Sequence, residues 1–217
     1  MKILFLDTSN KKINAAIFND GEIFTKEVDV NNDIAEKLHI TLSEVINESK
    51  VSKKDFDKFI VAVGPGSFTG IRMAVTVIKT YAYSLGKKVI PISTLELMAS
   101  TNVKTNYILP AIEDRGPFYY LGLYDKDLNL IDTEQRVNFN NYVSNIGNMN
   151  DVTIITSNES EINFKRIFSK YKDIEGISAH SIKPNYLKNT NAEDAIKNDK
   201  RSNWKRFKIN KLFFRQI

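Results

Sequence analysis

The sequence predicts an α/β protein built from two tandem βββαβα units, and three observations carry that prediction. Apolar runs of strand length alternate with longer stretches of helical periodicity. A glycine-rich segment, Gly64-Pro65-Gly66-Ser67-Phe68-Thr69-Gly70, falls between one such run and one such stretch. The order of elements over residues 1–103 is weakly echoed over residues 104–194.

In the first unit, Lys2–Asp7 is an apolar run closed by an acid, and Ile13–Phe18 is a second run. Asn19-Asp20-Gly21 is a hairpin signal before a third strand, Glu22–Val30, in which Ile23, Val28 and Val30 do not alternate cleanly. From Asp33 to Ser49, Ile34, Leu38, Leu42, Val45 and Ile46 recur at helical spacing. Ser52-Lys53-Lys54-Asp55 reads as a capping box opening a short turn. Lys58–Val63 ends in an unbroken apolar run, the pattern of a strand buried on both faces. After the glycine-rich loop a helix runs from Gly70 to about Leu85. Ile71, Ala74, Val75, Ile78, Tyr81, Ala82 and Leu85 form its wide stripe, with Met73 and Val77 adding apolar surface on another side. Gly86 stops this helix. Val89–Ile92 is a short strand, and Ser93-Thr94-Leu95-Glu96 is a capping box for the next helix.

In the second unit, Tyr107–Ile112, Phe118–Tyr124 and Leu128–Val137 read as strands, the last two joined at Asp125-Lys126-Asp127. Phe139–Ile146 reads as a helix, Val152–Thr156 as a strand and Ser160–Tyr171 as a helix. Two such units side by side are the architecture of the actin, Hsp70 and sugar-kinase group. Residues 1–103 then form one subdomain, 104–194 the other, and 195–217 a tail.

Composition narrows the function. A hydrophobic fraction of 42% over 217 residues is ample for a packed core, and no run reaches the length of about 18 apolar residues that a membrane span requires. The apolar start is too short for a signal peptide. The absence of cysteine excludes disulfides, thiolate metal sites and a cysteine nucleophile. A soluble cytoplasmic protein is expected. The net charge of +5 is uneven: residues 195–217 hold eight basic side chains against Asp199 alone, so the tail carries +7 and the body −2. Overall charge therefore says little about what the body binds.

The glycine segment invites several chemistries, and its spacing fails each. Gly64, Gly66 and Gly70 give G-x-G-x-x-x-G, one residue longer than the dinucleotide fingerprint. A P-loop lacks its Gly-Lys pair, and a serine elbow fails because Pro65 stands two residues before Ser67. Two readings stay open: an anion site at the helix start, or a demanding turn that packs helix on sheet.

Leu6-Asp7-Thr8-Ser9 after the first strand, Gly64–Arg72 after the fourth, and Pro91–Leu95 after the second helix stand in the order and setting of the TsaB family. Pro110–Arg115 followed by Tyr119-Tyr120 resembles that family's middle motif, with Glu113-Asp114-Arg115 where Asp-Ala-Arg is more usual. Pro184-Asn185-Tyr186-Leu187-Lys188 is similar to its closing Pro-x-Tyr-Leu-Arg. The resemblance covers residues 1 to about 190. It implies an actin-like ATPase fold shared with TsaD, the catalytic paralogue that transfers a threonylcarbamoyl group from an adenylate to the adenosine beside the tRNA anticodon. It implies a chain that pairs with TsaD, is joined by the small ATPase TsaE, and supplies no catalytic or metal residue of its own. ATP and metal then belong to the partner subunits. Asp7, Thr8, Ser9, Gly64, Gly66, Ser67, Thr69, Gly70 and Arg72 become a retained structural motif. Ile34, Leu38, Met73 and Val77 become the expected partner face, which a homodimer would use when TsaD is absent.

Catalytic alternatives find little in the sequence. A TsaD-like metal needs two histidines four apart on the helix Asp33–Ser49, which holds only His39; the other histidine of the chain is His180. A free-standing ATPase or kinase needs two phosphate loops and an adenosine-binding Gly-Gly. Asp7-Thr8-Ser9 is a relic candidate for the first loop, Glu113–Pro117 offers only Gly116 for the second, and no Gly-Gly exists. Asp7 is expected instead to hydrogen-bond the Gly64–Gly70 loop. Trp204, Phe207, Phe213 and Phe214 among the tail's basic residues keep a third reading open, an RNA-binding accessory protein that contacts tRNA through its tail.

Overall fold

Strand β1 (Lys2–Asp7) has helices on both sides, which is why Ile3, Leu4, Phe5 and Leu6 are all fully buried. It forms an antiparallel meander with β2 (Lys12–Asn19) and β3 (Glu22–Asp29), turned at Asp20-Gly21, where both residues have positive φ. Helix α1 (Ile34–Ser49) crosses the meander, and β4 (Lys58–Ala62) returns parallel to β1. Helix α2 (Phe68–Ser84) then leads to β5 (Lys88–Ile92), parallel to β4, and to helix α3 (Thr94–Ala99).

The second sheet repeats the plan. Strands β6 (Tyr107–Glu113), β7 (Phe118–Asp125) and β8 (Leu130–Asn138) form a meander, followed by helix α4 (Phe139–Asn145) and by β9 (Val152–Thr156), parallel to β6. Helix α5 (Phe164–Tyr171) follows, and β10 (Ile177–Ser178) crosses to pair antiparallel with β5. The strand orders are β10-β5-β4-β1-β2-β3 and β8-β7-β6-β9. The meander-plus-parallel-strand order is the same in both, so the echo read from the sequence is a repeat of topology. This computed structural model describes residues 1–146 and 151–187; the tail 195–217 and Lys188 of the closing motif lie outside the described residues. Met1–Asn185 forms one compact unit.

One face of the first sheet is covered by α1 and α2. Leu38, Leu42 and Val45 meet Ile71, Ala74 and Ile78 over Leu4, Leu6, Phe59 and Val61, all at most 3% exposed. On the other face Phe5 packs edge-on against Phe164 and Phe18 packs against Phe168, both from α5. Helix α3 lies against β6, β7 and β9 of the second sheet.

Several boundaries differ from the sequence expectation, each for a local reason. Helix α2 starts at Phe68 rather than Gly70, because the Ser67 hydroxyl accepts the Gly70 amide at 3.2 Å and the Ile71 amide donates to the Ser67 carbonyl at 2.9 Å. Helix α5 starts at Phe164 rather than Ser160, capped by the Asn163 side chain. Strand β8 starts at Leu130, because Leu128 has φ 63° and the Asp125 carboxylate gathers the amides of Asp127 and Asn129, widening the hairpin. Ser52–Asp55 closes a turn and opens no helix, with the Asp55 amide on the Ser52 carbonyl. The capping box at Ser93–Glu96 is half formed. Ser93 caps Leu95 at 3.1 Å, but Glu96 turns inward, where the Tyr171 hydroxyl donates to both its oxygens and Lys170 pairs with it at 2.6 Å.

Candidate functional site: interlocked loops and a helix groove

The loop after β1 and the loop before α2 meet at backbone distance. The Thr8 hydroxyl donates to the Gly70 carbonyl at 2.6 Å, and the Ser67 amide donates to the Ser9 carbonyl at 2.6 Å. A Cβ on Gly66 would run into the Ser9 carbonyl, and one on Gly70 into the Thr8 carbonyl, both far inside van der Waals contact. Gly66 also has φ +149°. Only glycine permits this approach. The Gly64 carbonyl receives the Thr94 amide at 2.9 Å, which ties the same loop to the start of α3.

Asp7 does not bond this loop as expected. Its carboxylate accepts the Ser9 amide at 2.8 Å and the Asn14 side-chain amide at 3.2 Å. Thr8 and Ser9, not Asp7, carry the link, because the chain turns at Asp7 and the next two residues reach the loop. Asp7 is 1% exposed, and burial pushes its carboxyl above the usual carboxylate range, opposed in part by the bonds from Ser9 and Asn14. Beside it is a cavity of only about 20 Å³, lined among others by Asn10, Asn14, Thr94, Ser157 and Ser160.

An actin-like ATPase would place nucleotide phosphate here, and these residues do not fit one. The amides of Ser9, Lys12, Ser67, Gly70 and Ile71 already donate within the protein. A 20 Å³ space is of the order of one water molecule. Among the described residues no three His, Cys, Asp or Glu side chains converge as a metal site. His39 is exposed on α1, and His180 is exposed with its ring edge-on to Tyr83 at 5.0 Å.

A larger concavity lies between α1 and α2. It encloses about 460 Å³ and is lined by Ala35, Leu38, His39, Phe68, Thr69, Arg72, Met73, Thr76 and Val77. Phe68 is 49% exposed, with the Arg72 guanidinium over its ring at 5.0 Å. Met73 and Val77 are half-buried on the groove wall. Leu38 lines the floor and, at 1% exposure, belongs to the core. Ile34 packs half-buried against the core and does not line the groove. Thr69 and Arg72 therefore belong to the groove, while Thr8, Ser9, Gly64, Gly66, Ser67 and Gly70 build the interlock behind it and Asp7 braces only Ser9 and Asn14. Sequence reasoning missed Asn14 and Asn185. The Asn185 amide donates to the Val63 carbonyl at 2.7 Å, and its own carbonyl lies where a Cβ on Gly64 would stand, 2.8 Å away. A closing motif that contains Asn185 was visible, but nothing in it names Gly64.

Residues 29–194 match the family model described as TsaD, tRNA N6-adenosine threonylcarbamoyltransferase. The tRNA threonylcarbamoyladenosine biosynthesis protein TsaB of Bacillus subtilis (strain 168) is 28% identical over 134 residues, 61% of this chain and 58% of that protein. The Escherichia coli (strain K12) TsaB is 27% identical over 132 residues, 59% of this chain and 57% of that one. The match thus spans under two thirds of either relative. The TsaB of Buchnera aphidicola subsp. Acyrthosiphon pisum is 25% identical over 206 residues, covering 89% of this chain and 86% of its own. Among solved structures, YeaZ from Pseudomonas aeruginosa superposes with a TM-score of 0.72 at 20% identity, covering 85% of this chain and 99% of that one. The fold is the actin-like ATPase type.

Proposed function

Because this chain belongs to the TsaB/YeaZ family, within the group that the TsaD model describes, we propose that it is the non-catalytic pairing subunit of the tRNA threonylcarbamoyladenosine machinery. In this role it binds and activates a TsaD paralogue, and TsaE joins the pair. ATP and metal are held by those partners.

The α1/α2 groove carries this reading. Met73, Val77 and exposed Phe68 give it an apolar wall, and Arg72, His39 and Thr76 give it a polar rim. Apolar centre with polar rim is the anatomy of a protein interface. The interlock supports the non-catalytic part. Donors that would stabilise a transferring phosphoryl group are already bonded between the two loops, which favours this reading over a free-standing ATPase. The interlock also gives α2 a rigid N-terminus from which to present Phe68 and Arg72.

The test is reconstitution from the cognate TsaD, TsaE, tRNA, ATP and a threonylcarbamoyl-adenylate source. Modification is expected to depend on this chain. Equal modification without it would sink the proposal, and ATP turnover by the chain alone would move the chemistry back to it.

A further inference from the structure

Residues 176–185 return from the second sheet and clasp the first. Ile177 and Ser178 pair with Val89 and Lys88, and Gly176 lies against the Val89 backbone too closely for a Cβ. The clasp then runs back along α2. His180 meets Tyr83 near the helix end, the Lys79 ammonium donates to the Ile182 carbonyl at 3.3 Å, and the Asn185 amide donates to the Val63 carbonyl before the helix start. The two segments brought together hold no acid: neither Asp nor Glu occurs from Lys58 to Leu95 or from Gly176 to Asn185. Lysines elsewhere are neutralised, Lys12 by Glu27, Lys26 by Glu48 and Lys37 by Asp33. Among the described residues Lys79, Lys87 and Lys183 pair with no carboxylate. A body of net charge −2 thus gathers its un-neutralised cations on one face. On α2, Arg72, Thr76, Lys79 and Tyr83 stand at i, i+4, i+7 and i+11 and share one side of the helix. Arg72 and Thr76 line the groove, and Lys79 and Tyr83 continue the row for about 10 Å beyond Thr76. Lys87 follows the helix end and Lys183 follows Ile182, so both flank the row. Tyr83 is 67% exposed, which leaves ring surface open beside His180.

We propose that the face formed by Lys79, Tyr83, Lys87, His180 and Lys183 binds the phosphate backbone of tRNA and stacks an unpaired loop base on Tyr83. The choice of tRNA rests on the function proposed above; RNA binding by this face does not. Cations without a carboxylate partner gain most from phosphates, because binding releases the counterions of the chain. An exposed aromatic ring suits a base that has left its helix. The exposed neighbours Thr80, Ser84, Ser178 and Ser181 are hydroxyls, Ile177 aside, which favours the ribose and phosphate of RNA over the acyl boundary of an anionic membrane. Because the row begins at the groove, RNA held on it lies beside the subunit seated there.

The experiment measures tRNA affinity of the full chain, alone and with the paralogue, over a range of KCl, with circular dichroism to check the fold of each variant. Lys79→Gln, Lys87→Gln and Lys183→Gln combined should weaken binding about tenfold or more near 100 mM salt and reduce the salt slope by roughly two. Lys12→Gln, Lys26→Gln and Lys37→Gln combined remove as many charges from carboxylate-paired positions and should change neither. Where loss of the Lys79 bond to Ile182 disturbs the clasp, Lys87→Gln with Lys183→Gln carries the test, at about fivefold. Tyr83→Ala should weaken binding of tRNA but not of a loop-free RNA duplex, and Tyr83→Phe should keep it. Unchanged affinity in the first set, or equal loss in both sets, overturns the proposal. So does a preference of this face for phosphatidylglycerol vesicles over tRNA, and an equal loss on loop and duplex from Tyr83→Ala overturns the stacking. Pairing is measured separately by calorimetry without RNA: its absence would fault the pairing reading, while tRNA binding by the free chain would still decide this one.

Discussion

The β1–β2 turn of the first sheet and the β6–β7 turn of the second hold equivalent places in two copies of one strand order, and their surroundings are opposite. Thr8 and Ser9 are buried and bonded to the loop ahead of α2. At the second turn Gly116 has φ +67° with nothing within 4 Å of a Cβ. There the partner of Asp114 is Arg136, at 2.5 Å, its guanidinium also lying over Phe118 at 4.2 Å. The helices differ in the same sense: α1 and α2 run to 16 and 17 residues, but α4 to only 7. A repeated topology fixes where turns fall. Whether a turn becomes a rigid support depends on a second loop being close enough to lock it.

Glycine substitution breaks this comparison hardest. Gly70→Ala must separate the two loops and is expected to cost on the order of 3–5 kcal/mol, while Gly116→Ala should cost about 1 kcal/mol from its positive φ alone. Urea unfolding of both variants checks this; equal losses would mean the interlock stores no special constraint. Next comes Val77→Glu. A carboxylate on the groove wall should weaken pairing with the paralogue about a hundredfold or more while leaving the unfolding midpoint near wild type. Leu38→Glu, on the buried floor, should instead unfold the chain. Calorimetric titration beside circular dichroism separates the two outcomes.

Tyr171→Phe probes the second-half side of the comparison. It removes the hydroxyl that donates to both Glu96 oxygens at 2.7 and 2.8 Å, so a loss of about 1–3 kcal/mol is expected, with pairing unchanged. A pairing defect in that variant would tie the seam between α3 and α5 to the groove. The smallest effect concerns Asp7→Asn. Asp7 has its folded pKa raised above the ordinary 3.8, chiefly by burial. The native state therefore binds its proton more readily, and this group's contribution to stability falls as pH rises above about 4. The variant should gain on wild type between pH 4 and pH 7, measured as the difference in unfolding free energy. A gap that does not change with pH would show that Asp7 has no titration linked to folding.

Much of this was legible because it is local or periodic. The apolar runs of β1 and β4 identify central strands, the spacing of Leu38, Leu42 and Val45 identifies the buried stripe of α1, and the glycines mark the tight loop. Met73 and Val77 announced a second apolar side of α2 before the groove was visible. What stayed hidden are polar choices made across distance. Glu96 sits in a proper capping position and is drawn instead to Tyr171 and Lys170, where burial strengthens the bonds it makes. Asp7 points to Asn14, seven residues on, rather than to the loop its position suggested. Leu38 and Ile34 share the α1 periodicity, yet one floors the groove and the other lies off it, because periodicity gives the buried side and not where a neighbouring helix leaves a gap.

The clasp of Asn185 on Val63 also has a consequence for synthesis of the chain. The first sheet is translated early, yet β5 gains its outer neighbour, and the core under α2 gains Ala179 and Ile182, only from residues made more than eighty positions later. A nascent chain carrying just the first half therefore exposes an open strand edge and an apolar gap beside α2. Such surfaces invite misassembly, so the first half should stay dependent on chaperones until the second has been made.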